Sequence, residues 1–361
     1  MKLNGMVLTI ALSAVAAVTI VAQQQPPDPV RTPGVQAGGD PGRQAFLEAN
    51  CRVAPPPPEA GGGRGGRGGG GGNPNQHSPY TIAGIAGVIE AGQQWRTLWV
   101  DTGNNADSPI GVEDGVLVAQ NDKSQILKVR LDGVVELVAT DTYTGGALAM
   151  TPDGTLYVGE RALNRGIWRV EPRELFANTM DGEPLECLGQ GVLNDMVADA
   201  RGGIYMTMGG VYYASPQGVV SGPYGAGGNG LALSPDGSLL YVTGRLDGAE
   251  PPADLAVPAG APMPTGGLRA YDVQGDGSLA NERQFAWAGG DGTAVDTEGR
   301  IYSTGNGGTW VLSPEGDILG FIAAPRGMIS VAFGGPDRRT LFGVSIRDVE
   351  IFAIDMIAQG L

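Results

Sequence analysis

The sequence predicts an all-β protein, a six-bladed β-propeller with four-stranded antiparallel blades. Three observations lead to this fold class. The chain of 361 residues contains 62 glycines and only 17% charged residues, which is typical of many short strands joined by tight turns. A phrase of one turn and one apolar strand recurs six times. A second short strand follows each phrase, so each unit has too few strands to bury both of its faces alone, and radial packing of the units would bury them.

The repeated phrase has a glycine at its turn in five of its six copies, and glycine readily adopts the positive φ that a tight turn requires. The sixth copy has Asp337 and Arg338 there instead. The copies are EDGVLVAQ (113–120), PDGTLYVGE (152–160), ARGGIYMTM (200–208), SPDGSLLYVTG (234–244), TEGRIYSTG (297–305) and GPDRRTLFGVS (335–345).

Two other all-β architectures fit this pattern less well. Sandwich strands do not repeat one phrase six times, and the rungs of a parallel β-helix are much shorter than these repeats. We expect residues 95–103 to complete the ring by pairing with the last blade. The Pro/Ala-rich insert at 246–265 is either a lid over one face or a passive surface loop.

The N-terminal part of the chain differs in composition from the repeats. Residues 1–22 resemble a secretory signal, with Lys2 before an apolar run, although an uncleaved anchor is the alternative. Residues 23–78 form a Pro/Gly-rich linker that we predict to be disordered, and residues 79–361 form the propeller domain. We therefore expect a periplasmic or secreted protein with no stable membrane span after cleavage. An exported compartment permits a disulfide, but the sequence leaves open whether Cys51 and Cys187 pair.

The net charge of −15 limits the partners of the protein. Nucleic acids and anionic membranes favour basic surfaces, so neither is an expected partner. An acidic chain is compatible with divalent cations, although acidity also serves solubility alone. We expect a monomer that binds a small molecule.

One residue just upstream of each turn occupies the same position in every repeat, about eight residues before the turn. Equivalent positions of successive blades converge on the propeller axis. The six residues are Asp107, Gly145, Asn194, Asn229, Asp291 and Ser330. Two carboxylates and two carboxamides suit a hard divalent cation, above all Ca²⁺. The alternative is that these side chains only cap turns.

Other hydrolytic systems lack the residues they need. The single histidine, His77, lies in the predicted linker, so the repeats have none for a Ser–His–Asp triad. The sequence has no G-x-S-x-G elbow. If the protein is an enzyme, metal-assisted hydrolysis is the chemistry that its residues allow.

Four phrases make the chain similar to a known family. GNGLALSPDGSLLYV (228–242), GGDGTAVDTEGRIYST (289–304), VAFGGPDRRTLF (331–342) and LNDMVADARGGIYMT (193–207) resemble the gluconolactonase/regucalcin/luciferin-regenerating family, over roughly residues 85–356. The resemblance implies a six-bladed propeller with a divalent cation, often calcium, in its channel. It also implies hydrolysis of a small lactone or sugar-acid derivative.

The resemblance assigns roles to individual residues. Asn229 and Asp291 align with the metal-binding Asn and Asp, and Asp107 aligns with the metal-binding Glu of the first blade. Asn194 aligns with an Asn that touches the substrate or a metal-bound water, and it completes the implied metal set. Asp291 is also the implied catalytic residue, as the base for a metal-activated water that attacks the lactone carbonyl.

The chain departs from the family pattern around the substrate. Val192 replaces an Arg, Met208 replaces an Asp, and Ser330 replaces an Asn. Arg161 replaces the His of a Glu-His phrase whose Glu160 remains, and we predict that Glu160 binds the substrate. These departures leave an alternative open, a non-catalytic propeller that binds a small molecule or a protein and keeps a structural calcium.

Overall fold

The computed structural model describes residues 35–55, 77–102, 108–189, 191–345 and 349–361. The predicted signal segment and Asp107 lie outside these residues. The described chain forms six four-stranded antiparallel sheets and one small two-stranded hairpin. The prediction of a six-bladed propeller is confirmed.

The strands are numbered in chain order and grouped by blade. Blade 1 contains β2 (Ile110–Val112), β3 (Gly115–Gln120), β4 (Gln125–Arg130) and β5 (Val135–Ala139). Blade 2 contains β6 (Ala147–Met150), β7 (Leu156–Glu160), β8 (Gly166–Arg169) and β9 (Glu174–Ala177). The hairpin β10 (Thr179–Met180) and β11 (Glu183–Pro184) follows. Blade 3 contains β12 (Met196–Ala198), β13 (Ile204–Thr207), β14 (Val211–Ala214) and β15 (Val220–Ser221).

The second half of the ring is built in the same way. Blade 4 contains β16 (Leu231–Leu233), β17 (Leu239–Thr243), β18 (Leu268–Val273) and β19 (Leu279–Ala286). Blade 5 contains β20 (Thr293–Val295), β21 (Ile301–Gly305), β22 (Gly308–Leu312) and β23 (Ile318–Ala323). Blade 6 contains β24 (Met328–Gly334), β25 (Thr340–Ser345), β26 (Glu350–Asp355) and the early strand β1 (Arg96–Val100). The one α-helix of the described residues is α1 (Arg43–Asn50), and 3₁₀ turns lie at Ala37–Gly39, Asn121–Lys123 and Leu185–Leu188.

The first strand of each sheet in blades 1 to 6 faces the axis, because these six strands contact one another in a closed circle. Strand β1 closes the ring as the outermost strand of blade 6, with Arg96 opposite Ala353 and Val100 opposite Glu350. This confirms the expected pairing of residues 95–103 with the last blade. Closing the ring with a strand from the other end of the domain leaves no free edge between the first and last repeats.

The hydrophobic core is divided among the blade interfaces, with one apolar cluster between each pair of neighbouring blades. Between blades 3 and 4, Tyr205, Tyr213 and Tyr271 are buried together. The rings of Tyr205 and Tyr213 lie 4.6 Å apart, and the Tyr205 hydroxyl donates to the carbonyl of Gly277 at 2.8 Å. Apolar burial thus supplies the main stabilising free energy between blades, and the phenol hydroxyls remain hydrogen-bonded.

Residues 35–55, which the sequence analysis assigns to the disordered linker, pack against loops of blade 2 and against the segment 181–189 that connects blades 2 and 3. We call residues 35–55 the N-terminal strap. Phe46 and Leu47 are buried on one side of α1. Arg43 contacts the fully buried Glu186 at 3.2 Å, and Cys51 forms a disulfide with Cys187. Sequence composition did not predict this docking, because partners far along the chain supply the ion pair and the covalent link.

Two further features complete the outer surface. In the 246–265 insert, Val257 and Ala261 are half-buried against the cluster between blades 4 and 5, so part of this loop is anchored to the domain. Among the described residues, no helix has the length and apolar character needed to span a bilayer.

Candidate functional site

Four of the residues singled out in the sequence, Gly145, Asn194, Asn229 and Asp291, lie in the loops that precede innermost strands, and Ser330 lies within β24. Asn194, Asn229 and Asp291 are half-buried at this end of the channel, whereas Gly145 and Ser330 are buried. Asp107 lies outside the described residues, so its place in the ring stays a prediction. Three polar side chains from consecutive blades are therefore partly accessible at one end of the channel.

Blades 3, 4 and 5 meet through these loops. Asn194 Nδ2 donates a short hydrogen bond to Asn229 Oδ1. The N–H of Gly230 donates to the carbonyl oxygen of Asp291 at 3.0 Å. A Cβ atom on Gly230 would lie only 2.2 Å from that oxygen, so the glycine of the Asn-Gly phrase is required by close backbone approach.

Threonines at the end of the second strand support the loops in three blades. Thr207 Oγ1 accepts from the N–H of Asp195 at 3.1 Å, and Thr243 Oγ1 accepts from the N–H of Gly230 at 2.8 Å. Thr304 Oγ1 accepts from the N–H of Asp291 at 3.1 Å. Sequence reasoning missed these residues, although the phrase ends IYMT, LYVT and IYST show the recurrence.

Arg161 is buried and connects blade 2 to the loop of Asn194. Its Nε donates to the carbonyl of Leu193 at 2.6 Å, and its Nη2 donates to the carbonyl of Gly146 at 3.0 Å. Nη2 also reaches Asn194 Oδ1 at 3.1 Å. The sequence marked this residue as a departure from the family, but the partners of its guanidinium depend on how blades 2 and 3 pack.

Glu160 of blade 2 is equivalent in position to Thr207 of blade 3. Each follows the residue of the second strand that pairs with the first residue of the innermost strand, Gly159 with Ala147 and Met206 with Met196. The Glu160 carboxylate is fully buried and pairs with Arg173 at 2.7 Å. The Arg173 guanidinium lies over the ring of Trp168, 4.4 Å from its centroid. The predicted substrate contact of Glu160 stays a prediction, and the structure places this carboxylate in an ion pair.

The donor atoms of the ring fit a calcium ion in part. Asp291 Oδ1 is buried, and together with Asn229 Oδ1 it offers the hard oxygen atoms that Ca²⁺ prefers. Asn194 Oδ1 instead faces the Arg161 guanidinium, which opposes a cation at that oxygen. Within the described ranges, no group of three or more His, Cys, Asp or Glu side chains gathers to bind a metal. A cation site here would depend on amide oxygens and on Asp291.

A cavity of about 580 Å³ lies along the innermost strands of all six blades. Its walls include Asp195 and Ser330 but none of Asn194, Asn229 and Asp291. Asp195 is held by the N–H groups of Leu231 at 2.8 Å and Met196 at 2.9 Å. The cavity therefore lies next to the polar ring, but the Asn194, Asn229 and Asp291 side chains do not line it.

The fold and the ring together define the class of protein: a six-bladed propeller that presents Asn, Asn and Asp side chains at one end of its channel. The sequence model of the SMP-30/Gluconolactonase/LRE-like region matches residues 113–347. The chain belongs to this family.

Two curated relatives match parts of the chain. A gluconolactonase of Zymomonas mobilis subsp. mobilis is 26% identical over 227 residues, which cover 53% of this chain and 58% of the relative. A 6-deoxy-6-sulfogluconolactonase of Pseudomonas putida is 34% identical over 129 residues, 33% of this chain and 38% of the relative. The matches thus span only about four to six tenths of the length of these curated relatives.

Solved structures share the fold. A gluconolactonase of Xanthomonas campestris superposes with a TM-score of 0.60 at 19% identity, covering 77% of this chain and all (100%) of that one. A calcium-binding regucalcin of Agrobacterium tumefaciens gives 0.57 at 17% identity, with 74% and 96% covered. At these identities the likeness concerns the architecture alone.

Proposed function

We propose that the protein hydrolyses a small lactone in the polar ring of its channel, with a divalent cation, assigned as Ca²⁺, as cofactor. The observation that carries the proposal is the contact of Asn194 with Asn229 beside the Asp291 loop, in a chain of this family. The two curated relatives bear the names of lactonases, which supports the same reaction class.

The proposed cation would be held by Asp107, Asn229 and Asp291, and when bound it would polarise the lactone carbonyl. Asn194, which the sequence analysis also places in the metal set, keeps its Oδ1 on Arg161 and lies beside these ligands. Asp291 accepts the proton of the attacking water, whose oxygen adds to the carbonyl carbon. The ring C–O bond then breaks, and its oxygen takes up a proton to give the hydroxy acid.

The remaining side chains of the ring orient these groups. Asn194, held through Oδ1 by Arg161, and Glu160 are the proposed substrate contacts. Thr304 fixes the main chain of Asp291 through a 3.1 Å hydrogen bond. A fixed carboxylate loses little orientational freedom in the transition state, which is how such supports raise rates.

The test is hydrolysis of a panel of aldonolactones, followed by proton release, with purified protein in Ca²⁺ and in EDTA. We expect turnover that EDTA abolishes and that Asp291→Asn lowers at least about a hundredfold, the usual contribution of a general base. Asp317→Asn, an exposed carboxylate of the same blade, is the matched control and should retain full activity. Absence of metal-dependent turnover across the panel would refute the proposal that the protein is a lactonase.

The second candidate is a non-catalytic binding propeller that retains a structural calcium. The substitutions at Val192, Met208 and Arg161 favour it, because they alter the substrate side of the family pattern. This candidate predicts that Ca²⁺ raises the melting temperature while no lactone is turned over.

We also propose that the protein is exported to the periplasm or secreted. The disulfide between Cys51 and Cys187 supports this, because such bonds persist in oxidising compartments. Fractionation of the expressing cells and N-terminal sequencing of the mature chain test it. A cytoplasmic protein that retains Met1 would contradict the proposal.

A further inference from the structure

The cavity inside the ring has the size and character of a small-molecule site. Its volume of about 580 Å³ falls in the range of drug-sized ligand pockets. Its walls are mainly apolar and include Ile110, Leu148, Leu231, Val295 and Phe333. A pocket of this kind needs few polar groups, and those groups fix the orientation of the ligand.

Arg338 stands in an unusual backbone position on the wall of this cavity. In five blades a tight turn follows the innermost strand. One residue of this turn donates its N–H to the carbonyl oxygen of the residue three positions earlier, and this donor residue has a positive φ. Glycine is the donor residue in four of these turns: Gly154 (φ 83°), Gly202 (φ 88°), Gly237 (φ 68°) and Gly299 (φ 80°). Blade 6 has Arg338 there at φ 54°.

A side chain at positive φ costs free energy that glycine avoids, and such strain is often kept where the side chain has a function. The neighbouring residues do not explain the arginine, because its guanidinium forms no ion pair or hydrogen bond within the described part of the chain. Arg338 is an exposed residue on the wall of the cavity, so its charge is accessible to a ligand there, and partial desolvation lowers its pKa.

We propose that this cavity is a second ligand site, which binds a small monocarboxylate with an apolar body. The carboxylate pairs with Arg338, where a planar guanidinium can donate two parallel hydrogen bonds. The apolar body lies along Leu148, Leu231 and Phe333 in the cavity. The site uses other residues than the proposed lactonase reaction, because Asn194, Asn229 and Asp291 are not among its walls.

The test compares octanoate with 1-octanol, which has the same apolar body and no charge, by isothermal titration calorimetry on the full chain. We expect octanoate to bind at least about tenfold more tightly than 1-octanol, since a charge-assisted pair is worth about that factor. Arg338→Gly should remove this preference while leaving 1-octanol binding unchanged. Arg338→Gly also places in blade 6 the glycine that four other blades have at this turn, so the melting temperature of the variant should stay the same or rise.

Two further variants complete the design. Arg339→Gln changes the adjacent exposed arginine, which is not part of the cavity wall, and should leave octanoate binding intact. Ala294→Leu fills part of the cavity and should weaken both ligands. Equal binding of octanoate to the wild type and to Arg338→Gly, or no saturable binding to the wild type, would overturn the proposal. Lactone turnover is measured separately, so failure of either proposal is recognised without the other.

Discussion

Arg161 Nη2 donates a hydrogen bond to Asn194 Oδ1 over 3.1 Å, and the same nitrogen reaches the carbonyl oxygen of Asn194 at 2.7 Å. With its oxygen held in this way, the Asn194 amide directs Nδ2 towards Asn229. The main-chain oxygen of Arg161 in turn accepts from Ala37 of the N-terminal strap at 2.8 Å. One buried arginine thus connects the strap, blade 2 and the polar ring.

We expect Arg161→Ala to lower kcat of the proposed lactonase by roughly tenfold to a hundredfold, because hydrogen bonds to a charged group contribute about 1.5–3 kcal/mol. The measurement is steady-state kinetics of the best lactone substrate at several Ca²⁺ concentrations. Asn194 would lose its fixed orientation, so the effect should fall on kcat more than on KM.

Arg161→Lys is the conservative control for this prediction. Lysine keeps the charge but does not reproduce the planar fork, so we expect it to restore only part of the lost kcat. Unchanged kinetics in Arg161→Ala would show that the arginine has a structural role alone.

Two threonines of blade 5 provide a matched pair for the support of Asp291. Thr304 Oγ1 accepts from the Asp291 N–H and donates to the Ile329 carbonyl at 3.2 Å, whereas the buried Thr309 Oγ1 has no hydrogen-bond partner among the described residues. Thr304→Val should lower the free energy of unfolding by about 1–3 kcal/mol and reduce kcat. Thr309→Val makes the same chemical change and should be neutral or stabilising. Urea denaturation of both variants measures the change in unfolding free energy. An equal loss in the two variants would contradict a specific support of Asp291 by Thr304.

The disulfide should contribute strongly to stability, because it closes a long loop with a sequence separation of 136 residues. We expect the double variant Cys51→Ser/Cys187→Ser to lose about 2–5 kcal/mol of unfolding free energy. Differential scanning calorimetry of wild type and variant measures this loss. Adding a reductant should lower the melting temperature of the wild type towards that of the variant and leave the variant unchanged. A wild type insensitive to reductant would count against a bridge in solution.

Acid stability should depend on Asp199. Burial alone would raise the pKa of Asp199, but hydrogen bonds from Arg201, Gly203 and Tyr213 outweigh it and hold the pKa below its usual value. A lowered folded-state pKa stabilises the protein above the unfolded pKa of about 3.9, and this stabilisation is lost as the pH falls through the folded value.

We therefore expect the unfolding free energy of Asp199→Asn to depend less on pH below about 4 than that of the wild type. At pH 7 the variant should be less stable by about 2–3 kcal/mol, because it loses hydrogen bonds to a charged group. Urea unfolding at several pH values between about 2 and 7 measures both effects. Asp254→Asn, at an exposed turn of the 246–265 insert, is the control and should change little. Parallel curves for Asp199→Asn and the wild type would contradict the prediction.

Much of the fold follows from local pattern. The recurring turn with an apolar strand after it predicted the number of blades, and the early strand at 95–103 predicted how the ring closes. The Asn-Gly and Asp-Gly phrases marked Asn229 and Asp291, whose following glycines lie where a Cβ would clash with the next blade. Such requirements are visible in a sequence because they depend on residues close together along the chain.

The sequence by itself determined the propeller, its six repeats and the polar residues that blades 3, 4 and 5 place at the channel end, Asn194, Asn229 and Asp291. Only the tertiary structure decided that Arg161 holds Asn194, that Glu160 pairs with Arg173, and that residues 35–55 dock through Cys51 onto Cys187. These contacts join distant parts of the chain, and their partners depend on how neighbouring blades pack. The repeated pattern specifies the strands of each blade. The contacts between blades are made by side chains that differ from one repeat to the next, so the pattern does not predict them.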